Sequence, residues 1–568
     1  MTGDGFSIKG LDSVLHAYQG RFFMNMSPTA VFMAYVDWAS HYFNSPEKLL
    51  ATVEAMTKAV TEVFGHGLSG EMSEEISKDS RFKNNGWAKQ PFRLFAASFL
   101  TAEKFGQFIM SDVNGVTKHH EEMMCFIVRQ MFQSIAPSNF IVSNPELLNQ
   151  TVTQKGANLV RGFFNYLEDV ARSVHERKPA GVDQFKVGKN LAVTPGKVVF
   201  KNNLIELIRY SPVTETVYPE PILIVPAWIM KYYILDLSPT NSLVRYLVAQ
   251  GHTVFIISWK NPGAEERNLS MSDYVRLGVS EALDAVKFQC GNHKIHTVGY
   301  CLGGTLLVIA AAYLKSKGID DLKSMSLLAA QTDFTEAGEL TLFIDDSQVS
   351  FLEDLMNRQN YLKTDQMAGA FRLLRSNELI WYTLIHDYLK GERTQVTDLM
   401  AWNADSTRMP YTMHSEYLRS LFLKNDLFEG RYRVDGVPIA ISNIHAPVFL
   451  VATKSDHVAP WQSVYKFLLP SDAESVTFVL TNGGHNAGIV SEPGHPGRSY
   501  QISIRTEGDT YIDPRTFKET THVTQGSWWI PWQRFLAEHS GQHINPPPFR
   551  KTGKAALADA PGQYVLET

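Results

Sequence analysis

One cysteine of this chain stands among glycines where an apolar strand pattern changes into an apolar helix pattern. The stretch HTVGYCLGGTLLVIA covers residues 296–310 and places Cys301 in a G-x-C-x-G pattern with Gly299 and Gly303. Small residues two positions before and after a nucleophile allow a sharp strand-to-helix turn, because larger side chains would collide across it. The following helix directs its N-terminus at the sulfur and favours the thiolate. The pattern therefore predicts a nucleophilic thiol at Cys301.

This turn is typical of the nucleophile elbow of α/β-hydrolases, where the chain order is nucleophile, acid, histidine. Asp456 ends the run PVFLVATKSD, and His485 follows the run VTFVLTNGG. Both stand at the carboxyl ends of predicted strands, where α/β sheets keep their sites. A turn aspartate and a loop histidine are the ordinary interpretations of each residue alone, but order and context together favour a triad with Cys301. His457 is a weaker candidate base, because it follows Asp456 immediately and cannot readily face both the acid and the cysteine.

The remaining groups of such a site are backbone donors. An oxyanion hole would use the N–H of Leu302 and a second N–H from the loop at 226–231. We expect no metal, because KHHEE at 118–122 has adjacent histidines without a second ligand pair at zinc spacing. No phosphate-binding P-loop occurs either, and we expect no cofactor.

Composition limits the class of protein. The 568 residues are 44% hydrophobic and 20% charged, which suits a globular protein with a sizeable core. A net charge of −5 gives no reason to expect nucleic acid as a partner. Three cysteines in so long a chain indicate a reducing compartment. Without a signal-peptide pattern or an apolar stretch of membrane-spanning length, we expect a cytoplasmic protein with no membrane span.

The elements that must position the site change character along the chain. Residues 1–195 carry apolar residues at helical spacing and predict a helical N-terminal domain. Residues 196–545 contain eight short β-branched runs, several separated by amphipathic helices, which predicts a mostly parallel sheet and an α/β-hydrolase-like catalytic domain. A gap at about 335–445 is interpreted as an inserted helical cap, since a structureless loop of that length is uncommon. The proline-rich residues 546–568 are predicted to form a loosely held tail.

Longer motifs extend over most of the chain. In the N-terminal half they are DSRFKNNGW (79–87), IAPSNFIVSNPE (135–146) and NLVRG (158–162); in the catalytic half they are ELIRYSPVTETV, KYYILDLSPTNSLV (231–244), FIISWKNPG (255–263), GYCLGG (299–304), WNADSTRMP (402–410), SDHVAPW (455–461) and GGHNAGI (483–489). In these motifs and their order the chain resembles the polyhydroxyalkanoate synthases, particularly the single-subunit class I type acting on short-chain substrates. One departure is PAWIMKYY, where many members have PPxINKYY. Ala227 and Met230 thus stand in the loop expected to supply the second oxyanion donor.

The resemblance implies a reaction and a set of partners. The substrates would be (R)-3-hydroxyacyl-CoA thioesters, 3-hydroxybutyryl-CoA first among them, and the product a growing polyester chain. Coenzyme A would be part of the substrate and a product, so that no separate cofactor is implied. The family also implies a homodimer that associates with polyhydroxyalkanoate granules and granule proteins in the cytoplasm. This favours dimer pairing and granule docking as the roles of the N-terminal domain, with packing against the catalytic domain as the alternative.

The chemistry of a thioester explains why a thiol would replace serine. A thiolate exchanges with a thioester at little cost, and the acyl group stays activated for transfer to the next hydroxyl. A serine would form an oxygen ester at once and lose that driving force. A free thiol has a pKa near 8.5 and is mostly protonated at neutral pH. His485 is therefore the expected base for Cys301.

Two other functions fit the same residues. A thioesterase or lipase-like hydrolase would use the triad with water as the acceptor, although a large cap suits a site that excludes water and retains a growing chain. A granule coat protein with an inactive hydrolase domain is the third possibility, and the intact triad argues against it. In the extension step, His485 would take the proton of the 3-hydroxyl with Asp456 orienting it, or Asp456 would act more directly; the sequence leaves both open.

Overall fold

Two compact units make up the part of the chain that the computed structural model describes, which is residues 15–16, 26–68, 74–175, 177–363, 366, 374–405, 407–550 and 558–568. The first unit contains Val182–Thr364 and Thr397–Thr568. The second contains Ala17–Gly181 and Asp365–Val396. Where the sequence pattern placed a domain boundary near residue 195, the compact units change over at Val182, and part of the predicted cap is grouped with the N-terminal helices.

The first unit is built on a ten-stranded sheet. In chain order the strands are β1 (Gly196–Lys201), β2 (Ile205–Tyr210), β3 (Ile222–Val225), β4 (Val254–Trp259), β5 (Ile295–Tyr300), β6 (Leu322–Leu328), β7 (Tyr361–Leu362), β8 (Met409–Pro410), β9 (Arg433–Val434), β10 (Val437–Pro438), β11 (Val448–Thr453), β12 (Ser475–Thr481), β13 (Ser499–Thr506) and β14 (Val523–Gln525). The large sheet has the order β1-β2-β4-β3-β5-β6-β11-β12-β13-β14, and β7–β8 and β9–β10 form two small pairs.

The centre of the large sheet is parallel. Strands β4, β3, β5, β6, β11 and β12 pair in parallel, whereas β1, β2, β13 and β14 pair antiparallel with their neighbours. Every residue of β3, β4, β5 and β11 is buried, as expected of parallel strands that are covered on both faces. The predicted mostly parallel sheet is confirmed, and all eight predicted strands are present.

Helices pack on the sheet within the first unit, and other helices form the second unit. In chain order they are α1 (Pro28–Phe43), α2 (Pro46–Leu68), α3 (Glu74–Lys78), α4 (Phe92–Met110), α5 (Lys118–Ser134), α6 (Pro145–Thr153), α7 (Ala157–Val174), α8 (Leu243–Ala249), α9 (Met271–Asp273), α10 (Glu281–Cys290), α11 (Leu302–Ser316), α12 (Asp346–Gln359), α13 (Asp398–Asn403), α14 (Tyr411–Glu416), α15 (Trp461–Tyr465), α16 (Pro514–Thr520) and α17 (Trp529–Glu538). Among the described residues, π-helical segments also lie at Tyr274–Ser280, Asn377–Trp381, Leu384–Leu389 and Tyr417–Leu423. Over the residues described, no helix combines the length and the hydropathy needed to cross a membrane.

The N-terminal helices bury apolar side chains against one another. One cluster is centred on Trp38 and Tyr42, with α1 packed against α5, and another on Phe82 and Trp87 near α4. The predicted helical N-terminal region is confirmed. Its helices therefore have cores of their own.

Helix α7 packs within the same unit on residues 374–396. Asn158 donates from Nδ2 to the carbonyl oxygen of Leu389 at 2.8 Å, and Arg393 forms a 2.7 Å ion pair with Asp169. The closest approach is at Gly162, where a Cβ atom would lie 1.7 Å from the carbonyl oxygen of Tyr388. The glycine of the NLVRG motif is therefore needed for this contact between backbones.

The prediction of a loosely held tail is wrong for residues 558–568. The N–H of Val198 donates to the carbonyl oxygen of Ala558 at 2.8 Å, and the N–H of Ala560 donates to that of Gly196 at 2.9 Å. Tyr564 is buried. The physical reason is that β1 is the outermost strand of the sheet, and its unpaired backbone groups are satisfied by this segment.

Two glycine substitutions in the second unit should change its stability in opposite directions. Gly162→Ala forces a methyl group against the carbonyl of Tyr388, and such overpacking should lower the free energy of unfolding by about 1–3 kcal/mol. Gly65→Ala, also in a helix, meets no atom within 4 Å and should raise it by up to about 1 kcal/mol. Urea denaturation measures both, and an unchanged or raised stability of Gly162→Ala would contradict the packing described.

Candidate active site

Cys301 lies at the turn between β5 and α11. Its φ of 53° and ψ of −128° lie in a region that residues with side chains rarely adopt. Its N–H donates to the carbonyl oxygen of Leu328 on the neighbouring β6 at 2.9 Å, and its own carbonyl accepts from the N–H of Gly304 at 2.9 Å. The sequence pattern predicted this strand-to-helix turn, and the hydrogen bonds hold it in place.

The glycines around Cys301 are required by close packing around the turn. A Cβ atom on Gly299 would lie 2.3 Å from the Cα of Gly304, and one on Gly303 would lie 2.2 Å from the carbonyl oxygen of Val225. A Cβ on Gly304 would lie 2.3 Å from the Cβ of Ala330. None of these distances is compatible with a larger residue.

The loop at 226–231 runs directly beside the elbow. A Cβ on Gly303 would lie only 2.5 Å from the carbonyl carbon of Pro226, so this loop touches the first turn of α11. Leu302 is the first residue of that helix, and N–H groups in a first helical turn have no intrahelical partner. The loop is also held by Thr407, whose hydroxyl donates to the carbonyl oxygen of Trp228 at 2.6 Å. Pro226 of the loop thus packs against Gly303, the residue after Leu302 in the first turn of α11.

His485 and Asp456 form a hydrogen-bonded pair. His485 Nδ1 lies 2.7 Å from Asp456 Oδ2, and the Asp456 side chain is completely buried. Asp456 also accepts hydrogen bonds from the Thr453 hydroxyl at 2.9 Å and from the N–H groups of Val458 at 2.9 Å and Ala459 at 2.8 Å. The carboxylate therefore has four donors around it and a fixed orientation.

Electrostatics favour the charged forms of this pair. Burial lowers the pKa of His485, but the charges of Asp456 and Cys301 and the hydrogen bonds to both raise it well above its ordinary value. Burial raises the pKa of Asp456, but the charge of His485 and its hydrogen bonds hold it below the ordinary value. Since Nδ1 faces Asp456, Nε2 is the nitrogen left for Cys301. A thiol, an imidazole and a carboxylate in this order can generate a nucleophilic thiolate.

The structure brings together the three predicted residues and separates the alternatives from them. His457 is exposed, and Asp456 is bound by His485. Burial raises the pKa of both Cys125 and Cys290 to about 11, so neither is suited to act as a thiolate. Among the residues that the structure describes, no group of three or more His, Cys, Asp or Glu side chains could hold a metal ion.

Sequence reasoning missed Tyr417. This side chain is buried on the π-helical segment that continues α14, and its ring packs edge-on against Trp228 at a centroid distance of 6.1 Å. Burial and the charge of Cys301 raise its pKa well above the ordinary value, which puts the phenol near the thiol. Tyr417 belongs to the region predicted as a cap, where no motif spacing relates it to the elbow.

Comparison with known proteins decides the family. The model "Poly-beta-hydroxybutyrate polymerase (PhaC) N-terminus" matches residues 78–247, "Poly-beta-hydroxybutyrate polymerase N terminal" matches 7–48, and "alpha/beta hydrolase fold" matches 220–492. A poly(3-hydroxyalkanoate) polymerase of Methylorubrum extorquens is 37% identical over 540 residues, which are 93% of this chain and 88% of that protein. The chain belongs to the poly(3-hydroxyalkanoate) polymerase family.

A second relative agrees with this assignment. The poly(3-hydroxyalkanoate) polymerase subunit of Rhizobium meliloti (strain 1021) is 36% identical over 543 residues, 93% of this chain and 87% of that protein. A monoacylglycerol lipase of Paleococcus ferrophilus covers 59% of this chain and 99% of its own at 13% identity, with a TM-score of 0.33. The α/β-hydrolase fold of this polymerase is confirmed by its family match and its sheet. As a polymerase of this family, the protein is an acyltransferase-type enzyme.

Asp456→Asn should lower the pKa of His485 in this polymerase. The carboxylate raises that pKa through its charge and its hydrogen bond, while burial lowers it. With the charge removed, burial acts with less opposition, so the imidazole should lose its proton at a lower pH than in the wild type. Carbon-13 histidine labelling and NMR titration measure the midpoint. The matched control is Glu492→Gln, which breaks the 2.7 Å pair with His495 and should leave His485 unchanged. An unaltered His485 midpoint in Asp456→Asn would contradict the electrostatic account.

Proposed function

We propose that this polymerase joins (R)-3-hydroxyacyl groups from coenzyme A thioesters into a polyester and that Cys301 carries the acyl chain as a thioester. The observation that carries the proposal is the buried hydrogen-bonded relay from Asp456 through His485 to Cys301, in a member of the poly(3-hydroxyalkanoate) polymerase family. The motif resemblance supports the single-subunit class I type with 3-hydroxybutyryl-CoA as the substrate. Coenzyme A enters as part of the substrate and leaves as a product, and we propose no metal or other cofactor.

In the acylation step, His485 takes the thiol proton and the Cys301 sulfur attacks the thioester carbonyl. A carbon–sulfur bond forms to Cys301, and the carbonyl oxygen becomes an oxyanion that the N–H of Leu302 and an N–H of the 226–231 loop stabilise. The tetrahedral intermediate then collapses, the bond to the coenzyme A sulfur breaks, and the leaving thiolate takes the proton from His485. The acyl group has moved from one thioester to another at little cost.

In the extension step, the 3-hydroxyl of an incoming acyl-CoA attacks the acyl group on Cys301. His485 takes the hydroxyl proton, an oxygen ester forms, and the bond to the Cys301 sulfur breaks and the thiolate regains the proton. The lengthened chain still ends in a coenzyme A thioester and acylates Cys301 again, releasing coenzyme A. Asp456 is saturated by four donors and has a lowered pKa, which supports a role in orienting His485 rather than in accepting the hydroxyl proton.

We also propose that one face of α7 docks onto the surface of the polymer granule. This face consists of Val160, Phe163, Phe164, Leu167, Val170 and Val174, each at least 40% exposed. An apolar stripe along about four turns of helix is larger than the scattered apolar residues of an ordinary surface. A polyester surface is apolar and extended, which suits a stripe of this shape. We propose in addition that the enzyme acts as a homodimer in the cytoplasm, as the family resemblance implies.

The products distinguish a polymerase from a hydrolase with the same relay. We expect incubation with (R)-3-hydroxybutyryl-CoA to release coenzyme A and to produce turbidity, because the 3-hydroxyl rather than water accepts the acyl group. A thiol reagent measures coenzyme A and light scattering measures polymer, with Cys301→Ala as the inactive control. Release of coenzyme A with only soluble 3-hydroxybutyrate would instead identify a thioesterase.

Charges placed on the α7 face should detach the enzyme from granules. We expect Phe163→Glu with Phe164→Glu to lower the granule-bound fraction several-fold, because a charged helix face loses its burial against polyester. Sedimentation of granules measures the fraction. Ile504→Glu is the matched control, since Ile504 is 66% exposed on β13 and outside the stripe. A double variant that stays on granules but sediments as a smaller species would assign the face to a second copy of the chain.

A further inference from the structure

We infer that residues Tyr564–Thr568, here called the clasp, position the 226–231 loop and that Lys231 is the positioning residue through which they act. The inference rests on the proposed function, because it concerns the loop that would supply the second oxyanion donor. It assigns a role in acyl transfer to a segment far from the relay in sequence. Three sets of contacts support it.

The first set joins the clasp to the end of the loop. Lys231 is only 3% exposed, and its Nζ donates to the main-chain oxygens of Glu567 at 2.7 Å and Tyr564 at 3.3 Å. The carbonyl oxygen of Lys231 accepts from Trp402 Nε1 at 2.7 Å. The last residue of the loop is therefore fixed through its side chain and its backbone.

The second set joins the clasp to two residues outside the loop, Asn261 and Arg408. Glu567 Oε2 accepts from the N–H of Asn261, just beyond β4, at 2.9 Å, and Arg408 donates to the main-chain oxygen of Thr568 at 3.0 Å. Asn261 Oδ1 in turn accepts from the N–H of Arg408 at 3.0 Å. Arg408 follows Thr407, whose hydroxyl holds the carbonyl of Trp228 in the same loop. Hydrogen bonds thus connect the clasp to Lys231 directly and to Trp228 through Asn261 and the Thr407–Arg408 backbone.

The third set anchors the clasp in the sheet. Tyr564 donates from its hydroxyl to the carbonyl oxygen of Asn202 at 2.6 Å, and its N–H donates to Glu206 Oε2 at 2.9 Å. Lys201 Nζ lies 4.3 Å from the centre of the Tyr564 ring. These contacts are made by β1, β2 and the turn between them. The clasp, and through it Lys231, is therefore anchored to the sheet.

The geometry of the loop explains why such a constraint matters for catalysis. Its first residue packs against Gly303 at the elbow, whereas its last residue is Lys231. The position of a backbone N–H donor within the loop therefore depends on how well both Pro226 and Lys231 are fixed. A misplacement of about 1 Å in a catalytic group can cost about 100-fold in rate. A buried ammonium is expensive to desolvate unless its hydrogen bonds are made, so Lys231 keeps the clasp and the loop together.

The test separates oxyanion stabilisation from the state of the thiol. Iodoacetamide alkylates the Cys301 sulfur without forming an oxyanion, whereas acyl transfer from (R)-3-hydroxybutyryl-CoA requires one. In full-length Lys231→Met we expect coenzyme A release at saturating substrate to fall between about 10-fold and 100-fold, with KM and the alkylation rate of the Cys301 peptide nearly unchanged. Deletion of residues 564–568 should give the same pattern, and Lys231→Arg should recover part of the rate because a guanidinium can still donate to the clasp.

Lys197→Met is the matched control. Lys197 lies on β1 and pairs with Asp559, upstream of the clasp, at 2.5 Å. It takes no part in the contacts that fix the loop, so this variant should keep the wild-type rate. Equal losses of alkylation and coenzyme A release in Lys231→Met would show that the clasp merely supports the fold and would overturn the inference. Unchanged release in Lys231→Met would overturn it as well. If the wild-type enzyme itself released no coenzyme A, the proposed function would fail instead, so the two failures are distinguishable.

Discussion

Cys301 holds a backbone φ of 53°, which costs a residue with a side chain of order 1–3 kcal/mol unless its surroundings enforce it. The enforcement comes from β6, which accepts the N–H of Cys301, and from glycines whose neighbours leave no space for a Cβ atom. A relaxed backbone would turn the sulfur away from His485 and pull the start of α11 away from the 226–231 loop. The position of the Cys301 sulfur and of the first turn of α11 therefore depends on one strained residue between two close-packed elements.

Burial and charge act in opposite directions on the pKa values of His485 and Asp456. Burial alone would favour a neutral His485, whereas the charges of Asp456 and Cys301 and the hydrogen bonds to both raise its pKa well above the ordinary value. Asp456 keeps its own charge because four donors replace the water that it has lost. Cys301 and Tyr417 are both buried. A buried thiol suits the thioester intermediate that we propose.

Local steric rules made much of this site predictable. The glycine spacing around Cys301 predicted the elbow, and the β-branched runs before Asp456 and His485 predicted the strand ends that bring them together. Other features depend on contacts between residues that are distant in sequence. Nothing near Lys231 indicates Glu567, and Tyr417 has no spacing relation to Cys301. Strand β13 was missed because only one of its eight residues is buried, which weakens the apolar pattern. The sequence of residues 558–568 suggests a loose tail, but in the structure the segment hydrogen-bonds to the outer edge of β1.

The central claim is that Cys301 carries the acyl chain, and rapid mixing with (R)-3-hydroxybutyryl-CoA followed by an acid quench and peptide mass spectrometry tests it most directly. The account predicts that the peptide containing Cys301 gains the mass of one or more 3-hydroxybutyryl units within the first turnover. It also predicts that neutral hydroxylamine removes this mass, since thioesters are cleaved under conditions that leave oxygen esters intact. Release of coenzyme A with no mass on that peptide, or with the mass on another residue, would contradict the account.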